Sequence, residues 1–145
     1  MKKTIVTFCL ICTTLTLQAR SELYTLTVQT EGLQNNKGEV QFSLYNKTGT
    51  IPDKMLNKYF KKKRVKIING KAEVTFTELP KGRYAVSVYH DENNNHKIDK
   101  GFIMPTEAVG LSNFKNINFL HLPNFEDASF PLTQNGDVKI HMIYF

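Results

Sequence analysis

Asp91, Asn93, Asn95 and Asp99 place oxygen-bearing side chains within one short stretch, His-Asp-Glu-Asn-Asn-Asn-His-Lys-Ile-Asp, residues 90–99. Counted from Asp91 they stand at positions 1, 3, 5 and 9 of a calcium loop, and the Lys97 carbonyl takes position 7. A hard cation takes six to eight oxygens, and alternate residues on a tightly wound loop can point at one centre. The Asn amides add neutral oxygens and keep the charge modest. Position 6 is His96, where Gly ordinarily permits the sharp turn, and position 12 is Phe102, so the usual bidentate Glu is missing. Another segment must then complete the shell, and Glu107, Glu126 and Asp127 are the candidates. Two carboxylates within the loop imply weak binding, roughly 10⁻⁴–10⁻³ M, as in extracellular modules. The competing reading is a polar turn closed by Asx hydrogen bonds without an ion.

Other chemistry has thinner support. His90 beside Asp91 could act as an acid–base pair in an envelope enzyme. No Ser, Cys or Thr stands in a recognisable nucleophile setting. His90, His96, His121 and His141 show no local ligand spacing of the HxxxH kind. Lys58 and the run Lys61, Lys62, Lys63 and Arg64 read first as a solvated strand entrance, with anionic lipid or polysaccharide as the functional alternative. A carbohydrate-binding module would have to stack sugars on Tyr or Phe, because the chain has no Trp.

The elements that must position the loop read as strands. Period-2 alternation runs through Tyr24, Leu26 and Val28, through Val40, Phe42 and Leu44, and through Tyr84, Val86 and Val88. It returns in Val138, Ile140, Met142 and Tyr144. The turn at Asn35, Asn36, Lys37 and Gly38 suggests a hairpin joining the first two runs. Asn69-Gly70 predicts a second hairpin between 64–68 and 72–76, since a type I′ turn needs positive φ at both central residues. Residues 129–132 add a short strand. About seven closely spaced strands imply an all-β, antiparallel sandwich of immunoglobulin-like or transthyretin-like type. Residues 52–63 could form one short helix, with Met55, Leu56, Tyr59 and Phe60 on one face. Residues 101–127 are irregular. An eight-stranded outer-membrane barrel would fit the length, but the strands are short and 101–127 lacks dyad alternation.

The chain of 145 residues is one domain's length, and 41% hydrophobic content with 10 Phe and 6 Tyr argues against disorder. Residues 1–19 carry a Lys2-Lys3 start, a short apolar run and a small residue, Ala19, before Arg20. That is the pattern of a secretory signal peptide, too short to span a bilayer comfortably. Both cysteines, Cys9 and Cys12, lie inside it, so residues 20–145 form a Cys-free domain without disulfides or thiol chemistry. Removing Lys2 and Lys3 also lowers the formal charge of +6 by two. The expected compartment is the periplasm, with secretion or the cell surface second. No integral membrane segment remains after cleavage, and nucleic acid is not an expected partner of an exported chain despite its basic balance.

Residues 78–99, ELPKGRYAVSVYHDENNNHKID, resemble the signature of the bacterial family called domain of unknown function 2141. The likeness continues in Met104, Pro105, Thr106 and Glu107 through Gly110, Ser112 and Asn113, and in Pro123, Phe125, Glu126, Asp127 and Ala128. It departs at His96, where the family usually has Gly. The resemblance implies a small exported β-sandwich with no established activity, and it implies that 101–127 packs against the loop. The resulting expectation is an exported, non-catalytic binding or structural module with a weak calcium loop at 91–99. Its partner would be a protein or polysaccharide of the envelope, and calcium is its only expected cofactor.

Overall fold

The computed structural model describes residues 22–99, 106–117 and 122–145. The signal peptide expected at 1–19, with Cys9 and Cys12, lies outside the described residues, as do Phe102 and His121.

Two sheets face each other. Their strands are β1 (Leu23–Glu31), β2 (Glu39–Tyr45), β3 (Lys61–Lys66), β4 (Glu73–Pro80), β5 (Gly82–Asp91), β6 (Val109–Leu111), β7 (Phe130–Leu132) and β8 (Gly136–His141). The smaller sheet has the order β4-β1-β8; the larger runs β3-β2-β5-β6, with β7 paired to the start of β5. Alternation decides which side chains meet between them. Leu26, Val28, Val74, Phe76 and Ile140 from one sheet meet Val40, Phe42, Leu44, Val86 and Val88 from the other. Burying each contributes about 1.5–3 kcal/mol. The all-β sandwich is therefore as the alternation implies.

The pairing differs from expectation in four respects. β1 and β2 do not form a hairpin, because they belong to different sheets; residues 32–38 carry the chain across the sandwich. The β1–β8 pair is parallel, with Val28 beside Val138, in an otherwise antiparallel fold. β6 is an additional strand of three residues. The Asn69-Gly70 turn does form, with φ of 53° and 74° and Ile68 bridging Lys71. Beyond it the flanking strands part, β3 to β2 and β4 to β1.

Residues 52–60 contain no helix. Asp53 organises them as a loop instead, accepting backbone N–H groups of Asn57 at 3.2 Å and Lys58 at 2.8 Å. Leu56 sits at φ 52°, and from Lys61 onward the chain is taken into β3 by pairing with β2. The helix that does form is the single turn α1 (Phe125–Ala128), capped by the Asn124 side chain accepting from the Asp127 N–H.

The outer face of the larger sheet is covered as well. Tyr45, Ala85, Leu111, Phe125 and Ala128 form a second buried cluster there. Phe125 and Ala128 beyond β6 thus pack back on the sheet rather than on the 91–99 loop.

Candidate cation-binding loop

The loop starts where β5 ends. Adjacent residues of a strand point to opposite faces, and this separates His90 from Asp91. His90 lies between the sheets, fully buried, with Nε2 2.7 Å from the Lys37 carbonyl and Nδ1 3.3 Å from the Tyr144 hydroxyl. A carbonyl only accepts, so Nε2 carries the hydrogen. Asp91 lies on the outer face. The two side chains form no acid–base pair, and His90 serves to tie the 35–38 turn and the C-terminal end to β5.

Asp91 is the hub of the loop, and its side chain is fully buried. Oδ1 accepts the backbone N–H of Asn95 at 3.0 Å, and Oδ2 accepts that of His96 at 2.9 Å. Arg64 Nη1 donates to Oδ2 at 2.9 Å, and Arg64 Nη2 donates to the Tyr89 hydroxyl at 2.7 Å. Strand register explains the meeting, since Arg64 and Tyr89 flank the same β2 residue, Gln41. Burial opposes the Asp91 charge, but the Arg64 hydrogen bond and the two loop N–H groups outweigh it. Its carboxyl is held below its ordinary value.

The rest of the loop winds tightly through left-handed residues and Asx hydrogen bonds. His96 adopts φ 64° and Asn94 φ 58°. His96 therefore takes the left-handed conformation for which Gly is the usual choice. Asn93 Oδ1 accepts the Asn95 N–H at 3.0 Å, and Asn95 Oδ1 accepts the Lys97 N–H at 2.8 Å. The amide groups of Asn93 and Asn95 donate to Asp99 at 2.5 Å and 2.8 Å.

Glu107 closes the loop from outside. Thr106 N–H bonds to the Asp99 carbonyl at 2.9 Å, so the chain leaves at 99 and returns at 106. The next side chain, Glu107, is buried. Its two oxygens accept the N–H groups of Glu92 at 3.1 Å and Asp99 at 3.0 Å. Burial pushes its pKa above the ordinary value; the two N–H donors act against this, and the charges of Asp99 and Asp91 add to the rise. Among the described residues, neither Glu107 nor Asp99 has an ion-pair partner. No set of three acidic or histidine side chains among the described residues is grouped tightly enough to hold a metal ion unaided. A cation here would draw on the Asn oxygens and the Lys97 carbonyl as well.

Of the three outside donors considered, the structure brings Glu107 to the loop. Asp127 is engaged at α1, where Asn124 Nδ2 donates to its carboxylate at 2.8 Å, and Glu126 belongs to the same exposed turn. His96 is an exposed loop residue with Nδ1 2.5 Å from Arg64 Nη1, whereas His141 ends β8. The described histidines therefore form no common site. The basic run is largely absorbed by the fold. Lys61 and Lys63 donate to the Thr77 and Thr75 carbonyls of β4, tying the sheet edges together. Lys62 lies over the Tyr59 ring. Sequence reasoning treated Arg64 only as part of that run and missed it as the partner of Asp91; only the β3–β2–β5 register reveals it.

The profile of the bacterial family described as "Uncharacterized protein conserved in bacteria (DUF2141)" matches residues 28–141. The chain belongs to this family. No curated protein and no solved structure matches it. The match includes every residue of the loop and Glu107. No helix among the described residues is long and apolar enough to cross a membrane.

Proposed function

We propose that this DUF2141 protein is an exported, non-catalytic binding or structural module whose 91–99 loop takes up calcium weakly. One observation carries the reading: the buried Glu107 carboxylate, without a basic partner among the described residues, faces a loop that already holds Asp91 and Asp99. Arg64 offsets the charge of Asp91 alone. A cation would relieve the remaining repulsion, and the Asn93 and Asn95 amides would rotate to present oxygen. Binding would lock β5 to the start of β6 and so order the segment beyond it. Export is proposed from the charged, apolar and small-residue pattern of 1–19, with the periplasm as the compartment and an envelope protein or polysaccharide as the partner.

Calorimetry with calcium, using magnesium as control, tests the ion. The protein should bind one calcium with a Kd of roughly 10⁻⁴–10⁻³ M. Asp99→Asn, an isosteric change at a half-buried position, should weaken binding about tenfold by removing one ligand charge. Absence of heat and of any thermal shift at millimolar calcium would reduce the loop to a hydrogen-bonded turn.

A further inference from the structure

A cavity of about 330 Å³ opens on the outer face of the larger sheet. Its floor is shallow in side chains for a structural reason. Ser87 of β5 stands beside Ser43 of β2, and both side chains are small. Apolar walls rise around this recess from Tyr45, Ile51, Ile98, Leu111 and Leu122. The volume lies at the lower end of the roughly 300–1,000 Å³ of small-molecule sites. It is about twice the ~150 Å³ that accepts benzene, which gives room for about a dozen carbon atoms.

The polar groups at the cavity define the rest of the ligand. Ser87 offers a half-buried hydroxyl at the floor, and Asp53 and Lys54 stand at the wall. The Asp53 carboxylate is already engaged, accepting the Tyr45 hydroxyl at 3.1 Å as well as the Asn57 and Lys58 N–H groups. Lys54 is exposed and has no ion-pair partner among the described residues. The Asp53 oxygens are thus largely used up as acceptors, and the polar group at the wall with donors to spare is the Lys54 ammonium. We propose that this cavity binds a medium-chain alkyl carboxylate, its chain among the apolar walls and its head at Lys54. The proposal does not depend on calcium, although Ile98 belongs to the 91–99 loop and makes that loop one wall of the cavity.

Decanoate, titrated into the purified protein in chelator and below its micellar concentration, is the probe. The expected result is saturable binding of one molecule, with decylamine bound far more weakly. Lys54→Glu should weaken decanoate binding about fivefold, as expected for an exposed charge contact. Leu122→Asp, at a half-exposed wall position, should weaken it about tenfold by removing apolar contact. Circular dichroism establishes that both variants are folded. The proposal is overturned by no saturable binding, by equal binding of decylamine, or by either folded variant binding decanoate as the parent does.

Discussion

Asp91 and Glu107 are carboxylates of one loop shifted in opposite directions, and the difference comes from their partners. Asp91 has a guanidinium; Glu107 has only backbone donors and faces two like charges. A depressed Asp91 pKa means that ionisation is favoured more in the native chain than in the unfolded one. Its contribution to stability is present above its unfolded value near 3.8 and is lost as pH falls through the lower native value. Arg64→Gln removes the outweighing partner and leaves burial dominant. Acid unfolding of this variant should begin at higher pH, and the variant should lose about 3 kcal/mol at neutral pH through an unpaired buried charge. Urea unfolding across a pH series reads both effects; an unchanged acid limb would refute the role given to Arg64. The loop was legible as a tight polar turn because its Asp and Asn residues recur at short, fixed spacing. Arg64 was not, since its link to Asp91 runs through two strand registers.

At the scale of elements, local chemistry was readable and partner choice was not. Asn69-Gly70 specifies its turn by the φ values it allows, yet the strands on either side diverge into separate sheets. Alternation in β1 and β2 identifies a buried face, and either sheet could bury it. The apolar pattern at 52–63 suggested a helix, but Met55 is 78% exposed and Phe60 is 42% exposed. Asp53 and the β2 pairing determine the local path there. β6 has too few residues to show a period. One turn joins these elements to the site. Gly38, at φ 64°, passes so close to β5 that a Cβ would overlap the Asp91 carbonyl and meet Glu92 Cα at 2.7 Å. Gly38→Ala should destabilise the protein by about 2 kcal/mol or more, combining positive φ with a backbone clash. It should also loosen the His90–Lys37 contact. Thermal unfolding measures the loss, and a parent-like melting temperature would contradict the close approach.

Across the whole molecule, the sandwich places the 91–99 loop and Glu107 at one end. The parallel β1–β8 pair brings the C-terminal strand beside β1, and Ile143 then bonds Val109 on β6, joining the two sheets near Glu107. The sandwich class was legible from alternation and strand spacing, whereas this join depends on contacts distant in sequence. The same view extends to the compartment. Protein recovered from the envelope of its bacterial host should begin at Arg20 by N-terminal sequencing, and an intact Met1 start in the cytoplasmic fraction would contradict export. The most direct test of the central claim follows backbone amide chemical shifts of the whole chain during a calcium titration. Saturating shifts should centre on residues 91–99 and Glu107, including the Glu92 and Asp99 amides that Glu107 binds, with magnesium producing much less. Unmoved loop amides at millimolar calcium, or shifts spread over unrelated acidic surface residues, would show that the loop is not a cation site.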